Sequence, residues 1–160
     1  MKISSLFTGN LEQDWLRLCE LWTKPEIVLG SEVGPTWEMP PQHEACILFA
    51  ERYPDSKEFL LKRLSEPDAV LAAYAFKCLI RVADIQPADI PEIVISRQDS
   101  LTTLFHSRQE TKTLAGFMSE YFESFSCRNE LLENQERSLS WQRNELAKYK
   151  NATNEEEGRG

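Results

Sequence analysis

The stretch EPDAVLAAYAFKCLIRVAD occupies residues 66–84 and holds only two charged side chains between Asp68 and Asp84. Those two are Lys77 and Arg81. With Asp84 they are spaced i, i+4, i+7, so on a helix they line one narrow strip. Nearly every other direction carries Ala, Val, Leu, Tyr, Phe, Cys or Ile. A helix apolar almost all round is enclosed by its neighbours. Ala69, Ala72, Ala73 and Ala75 permit close approach on some sides. The reading therefore sets this helix at the middle of the protein, flanked by the helices before and after it. It predicts that Ala75 and Leu79 are buried while Lys77 and Arg81 face water.

Working outward, Leu11, Trp15, Leu18 and Trp22 recur at helical spacing behind Asn10, a suitable N-cap, and Pro25 ends the run. The segment KPEIVLGSEVGPTWEMPP, residues 24–41, is irregular, because its prolines and glycines deny a continuous helix. Within it, Ile27, Val28 and Leu29 suit a short extended piece. Pro41 fits the first turn of a second helix that stops before Pro54. Asp55 with Glu58 has capping-box spacing for a third, and Ser65 with Asp68 marks the start of the central helix. A shorter helix is expected from about Ala88 to Ile95. Residues 99–106 suit a turn of helix and a loop. Ser107 and Glu110 again have capping-box spacing, which predicts a helix through Leu114, Phe117, Met118, Tyr121, Phe122 and Phe125.

A chain of 160 residues suits one domain with a real core. The apolar share of 41% and charged share of 28% are those of a soluble globular protein. The net charge of −8 argues against nucleic acid as a partner, since neutralising phosphates needs a basic surface. It suits a basic protein partner instead. No window approaches the ~18 apolar residues of a membrane span, and the first residues are too polar for a signal peptide. No membrane association and a cytoplasmic location are the expectations. Cys19, Cys46, Cys78 and Cys127 are scattered without a CxxC pair, which reads as reduced core thiols rather than a disulfide framework or a zinc site.

Two segments invite comparison, HEACILFAERYPDSKEFLLKRLSEPD and AYAFKCLIRVADIQPADIPEIVISRQD. Both read as helix, turn, helix, turn with a step near 30 residues. The pattern of Val70, Tyr74-Ala75 and Leu79 after a Pro-Asp turn resembles the first helix of a HEAT-like (armadillo-type) repeat, over residues 41–125. The resemblance implies an all-α fold, a short right-handed stack of antiparallel helix pairs, with an irregular helical bundle as the alternative. On that reading residues 1–126 form one repeat-like domain with an N-terminal capping helix. Residues 127–150 form a C-terminal helix, and residues 151–160 a disordered tail.

The chain holds no Gly-rich phosphate loop, no HExxH, no GxSxG and no calcium loop. His43 reads as a polar first-turn residue and His106 as lying near a helix start. No catalytic, cofactor-binding or metal-binding residues are assigned. HEAT-like resemblance implies a non-enzymatic protein-protein interaction scaffold; the alternatives are an acidic immunity or antitoxin-type inhibitor of a basic toxin and a HEAT-like DNA glycosylase. The candidate binding residues are Trp37 and Met39 in the loop and Leu132, Leu139, Trp141 and Leu146 beyond Cys127. Met118, Phe125, Leu132, Leu139 and Leu146 recur every seven residues, a line that stays on one side of a helix. That helix either caps the domain or docks onto another chain, a second copy or a different protein.

Overall fold

Asn10 caps the first helix, α1 (Leu11–Thr23), by accepting a hydrogen bond from the Gln13 N–H at 3.0 Å. The second, α2 (Pro41–Arg52), opens on Pro41, whose missing N–H costs nothing in a first turn. Then follow α3 (Lys57–Arg63) and the central α4 (Ala69–Val82). Asp68, not Ser65, caps α4, accepting from the Val70 N–H at 2.8 Å. The helix expected from Ala88 breaks in two at Ile90-Pro91, leaving a 3-10 turn and the four-residue α5 (Glu92–Ile95). The structure is a computed structural model and describes residues 2–34 and 38–124. No described helix is long and apolar enough to cross a membrane.

The all-α expectation fails after Asp99. Residues 100–113 form a hairpin, β2 (Ser100–His106) and β3 (Arg108–Thr113), where the sequence reading had a loop and a helix start. The short extended piece at Ile27–Leu29 is a full strand, β1 (Val28–Val33). The sheet order is β1-β2-β3. β1 runs parallel to β2, with Val28 opposite Thr103 and Leu29 opposite Leu104. β2 and β3 are antiparallel from Ser100 opposite Thr113 to Phe105 opposite Arg108. The chain is therefore mixed α/β, with six helices and a three-stranded sheet among the described residues, and neither a HEAT-like stack of helix pairs nor a helical bundle.

The hairpin turns at His106-Ser107, and His106 takes the left-handed conformation at φ 56°. Thr102, Thr103, Thr111 and Thr113 give both arms the β-branched character that suits a pleated surface. A helix follows at residues 114–120, here α6. Its Leu114 and Met118 are fully buried, and Phe117 meets Phe76 of α4 edge to face. The chain divides after Glu120 into two compact units. Of the second, residues 121–124 are described; they are helical, with Tyr121 and Phe122 edge to face.

Helix α4 is the centre that its composition implied. Ala72, Ala73, Ala75, Cys78 and Leu79 have no exposure at all. Its neighbours are not only helices: it meets α1, α2 and α3 and also β1 and β2. Aromatic side chains knit the helices together. Trp22 stacks on Tyr74 with ring centroids 5.1 Å apart, and Trp15 meets Trp22, Phe49 and Phe59 edge to face. Such pairs add roughly 0.5–1.5 kcal/mol each beyond their buried area. Arg97 ties the helices to the sheet. Its guanidinium donates to the carbonyls of Leu64, Glu66 and Pro67 and to Asp99, at the entry to β2.

Candidate functional site

Tyr74, Lys77, Cys78 and Arg81 recur on α4 at i, i+3, i+4 and i+7, which sets them on one face of the helix. Two of them serve strand β1. The Tyr74 hydroxyl accepts from the Leu29 N–H at 2.9 Å and donates to the Ile27 carbonyl at 3.2 Å. The Lys77 ammonium donates to the Leu29 carbonyl at 2.5 Å and lies over the Tyr74 ring, 5.1 Å from its centroid. Side chains of α4 thus stand in for a strand along this edge of the sheet, which would otherwise leave backbone groups unanswered. The expectation that Lys77 faces water is corrected. It is half-buried, while Arg81 is exposed as expected.

The other end of this face meets α2. His43 sits in the first turn of α2, as expected, and is buried there, 6% exposed. Its Nε2 lies 3.2 Å from an Arg81 terminal nitrogen. Burial, with the charges of Lys77 and Arg81, holds the imidazole down to about 4, so it is neutral at pH 7. One turn further along α2, the fully buried Cys46 thiol donates to the Gln42 carbonyl at 3.7 Å and neighbours the equally buried Cys78. Burial pushes both thiols up. For Cys46, the neighbouring Cys78 and the Lys77 and Arg81 charges outweigh it and hold the thiol below its ordinary range. Burial likewise holds Lys77 below the ordinary lysine range, opposed by the two thiols.

A second region forms where the sheet ends beside the hairpin turn. Val33 pairs with His106 on one side and bridges to Glu38 on the other, its N–H donating to the Glu38 carbonyl at 3.0 Å. The Gly34 N–H donates to the His106 carbonyl at 3.0 Å. Phe105 and Met39 flank these joints and are 48% and 50% exposed. The Phe105 ring lies so close over Gly30 that a Cβ there would come within 2.6 Å of it and force the ring to shift.

A third cluster is structural. The buried Asp14 carboxylate accepts from the Thr8 N–H and hydroxyl, both at 2.7 Å, from the Gly9 N–H at 3.2 Å and from the Tyr53 hydroxyl. It fastens the N-terminal segment and the end of α2 to α1. Burial pushes the carboxyl up, but these hydrogen bonds more than reverse it and hold it below its usual range. The Tyr53 phenol is pushed up to about 12 by burial and by that carboxylate.

Of the residues singled out from sequence, Met39 is half-exposed in the sheet-end region. Trp37, Leu132, Leu139, Trp141 and Leu146 lie outside the described residues, as do Phe125 and Cys127. Cys19, Cys46 and Cys78 are free thiols. Among the described residues no group of three or more His, Cys, Asp or Glu side chains could hold a metal ion. The sequence reading missed the meeting of His43, Cys46, Lys77, Cys78 and Arg81. One signal pointed to it: Lys77 and Arg81 are the sole charges on an otherwise apolar helix, which makes their company informative. No family model, no curated protein and no solved structure matches this chain.

Proposed function

We propose that this protein is a non-enzymatic protein-binding module whose contact surface centres on the sheet end. The supporting observation is the half-exposure of Met39 and Phe105 on two segments joined through Val33 and His106. Large apolar side chains scattered singly over a surface are ordinary, as Leu16 on α1 and Ile93 on α5 are here. Two beside one small joint give a partner an anchor point, the kind of feature around which binding energy concentrates. Glu38, exposed beside Met39, and a net charge of −8 favour a partner with a basic rim. An inhibitor of a basic toxin would use the same chemistry.

The test is affinity capture from native lysate with the wild-type chain, the double variant Met39→Asp/Phe105→Asp, and Leu16→Asp as a surface control. The wild type and the control should retain a basic protein that the double variant loses, with all three showing the same thermal melt. Retention of that protein by a folded double variant would refute the assignment of this surface.

A further inference from the structure

The two edges of the sheet are treated differently. Along β1, the Leu29 N–H and carbonyl are taken by Tyr74 and Lys77 of α4, and the Val33 N–H by the Glu38 carbonyl. Strand β3 has no such cover. Its pairing with β2 runs from Ser100–Thr113 to Phe105–Arg108 without a register shift. The Leu114 N–H continues that ladder to the Asp99 carbonyl at 2.9 Å. Along an antiparallel ladder, residues that turn their backbone groups toward the partner strand alternate with residues that turn them away. Back from Leu114, then, Lys112, Glu110 and Arg108 face β2, and Thr113, Thr111 and Gln109 face outward. Among the described residues, no backbone group meets the amides and carbonyls of Gln109 and Thr111, and both residues are exposed.

An edge of this kind is a template for a further strand, and natural edges are commonly spoiled by a proline, a bulge or isolated charges. β3, RQETKT, has neither proline nor glycine. It does carry Arg108, Glu110 and Lys112, and these charges select what fits. When a second β3 lies antiparallel against the first, outward residues must meet outward residues. The register that sets Thr111 opposite Thr111 also sets Gln109 opposite Thr113. It places Glu110 opposite Lys112 of the second copy, and Lys112 opposite its Glu110. These are the non-hydrogen-bonded positions, where opposed side chains come closest, and opposite charges there are favourable. A slip by two residues one way sets Glu110 against Glu110 and Arg108 against Lys112. The same slip the other way sets Lys112 against Lys112. Like charges directly opposite are destabilising, so one register stands out.

We propose that β3 is a self-association edge. Two copies of this chain pair antiparallel through it, centred on Thr111, and join their three-stranded sheets into one continuous sheet. The contact is self-complementary, as a two-fold dimer requires. Each Thr111 N–H donates to the Thr111 carbonyl of the other copy, and each Thr113 N–H to the other copy's Gln109 carbonyl. The two Thr111 side chains stand side by side, a favoured cross-strand pair. Glu110 and Lys112 already meet within one chain at 3.1 Å. In the dimer each gains its opposite from the second copy, so the charges become one network across the axis. This edge is separate from the Met39 and Phe105 surface, and the dimer does not depend on the protein-binding reading.

The experiment is analytical sedimentation of the full chain over a concentration series, with amide hydrogen exchange at Thr111 measured across the same series. The proposal expects a monomer–dimer equilibrium and a Thr111 amide that exchanges more slowly as the dimer fills. Thr111→Pro removes an N–H that β2 does not use, a position where an edge strand tolerates proline. It should weaken the dimer by roughly tenfold or more, the scale of the hydrogen bonds lost. Glu110→Lys and Lys112→Glu each set like charges opposite one another, and each variant alone should sediment as a monomer. Mixed together they restore both opposite pairs and should form a heterodimer. The wild-type exchange series needs no variant, so it decides even where a substituted chain fails to fold. A monomer at every concentration with a freely exchanging Thr111 amide would overturn the proposal. So would a Thr111 amide protected to the same degree at all concentrations, which would give the edge to another segment of the same chain. A dimer indifferent to a folded Thr111→Pro, or folded charge variants that do not combine on mixing, would overturn it equally.

Discussion

Asp14 and Lys77 are both charges taken out of water, and their surroundings differ in kind. Asp14 receives four hydrogen bonds, from a backbone pair, a threonine hydroxyl and a tyrosine hydroxyl. Lys77 has a single carbonyl and the face of a ring. A buried charge answered on every side fixes local structure, here the joint between the N-terminal segment, α1 and the end of α2. A buried charge with few partners contributes little to stability. The contrast separates a charge that fastens the fold from one that does little for it.

The largest effect should fall on the fastening. Asp14→Ala leaves the Thr8, Gly9 and Tyr53 donors without their acceptor, and should lower stability in urea by about 2–4 kcal/mol. A loss below about 1 kcal/mol would place Asp14 with the ordinary surface carboxylates.

An intermediate effect should come from pH. His43 is held down to about 4 in the folded protein, against ~6.5 in the unfolded chain. As pH falls through that window the unfolded state takes up the proton first, so stability declines from about 6.5 to about 4. Asp14, also held below its usual range, keeps its contribution through that window and loses it only as pH falls further, through its own lowered value. Urea midpoints measured across the window should therefore slope downward toward acid in the wild type and flatten in His43→Gln. An unchanged slope in the variant would remove His43 from the account.

Smaller again is the sheet end. Gly30→Ala must displace the Phe105 ring, and should cost about 1–3 kcal/mol, the range of overpacked sites. A neutral result would mean that the half-exposed ring swings freely aside. Smallest of all is Lys77→Met, which keeps the stem and removes the charge. It should change stability by about 1 kcal/mol or less, because the donor lost to the Leu29 carbonyl is offset by the relief of burying an under-paired ion. A loss matching that of Asp14→Ala would erase the contrast between the two charges.

The helices were legible because their ends carry local chemistry. Asn10, Pro41 and Asp68 act where they stand in sequence, and the alanines of α4 declare an enclosed helix. The sheet was not legible for equally physical reasons. Parallel pairing of β1 with β2 joins Val28 to Thr103 across most of the domain, and nothing local to either strand encodes it. The hairpin turns on His106-Ser107, without the Asn-Gly or Gly signal that marks such turns. Ser107 and Glu110 have the spacing of a capping box, yet both belong to the hairpin, where Glu110 pairs with Arg108 and Lys112. The helix begins only at residue 114. The candidate site was half legible. Lys77 and Arg81 were visible as the only charges on α4, but their meeting with His43 and with the edge of β1 is a tertiary fact.

The central structural claim is that α4 serves as the missing neighbour of β1, through Tyr74 and Lys77. Amide hydrogen exchange at Leu29 tests it most directly, because that N–H points to the Tyr74 hydroxyl and not to another strand. The account predicts slow exchange at Leu29 in the wild type. In Tyr74→Phe it predicts exchange at this amide faster by about tenfold, the worth of one lost hydrogen bond, with the β2–β3 amides unchanged. A Leu29 amide that already exchanges as fast as an exposed loop in the wild type, or is indifferent to Tyr74→Phe, would contradict it.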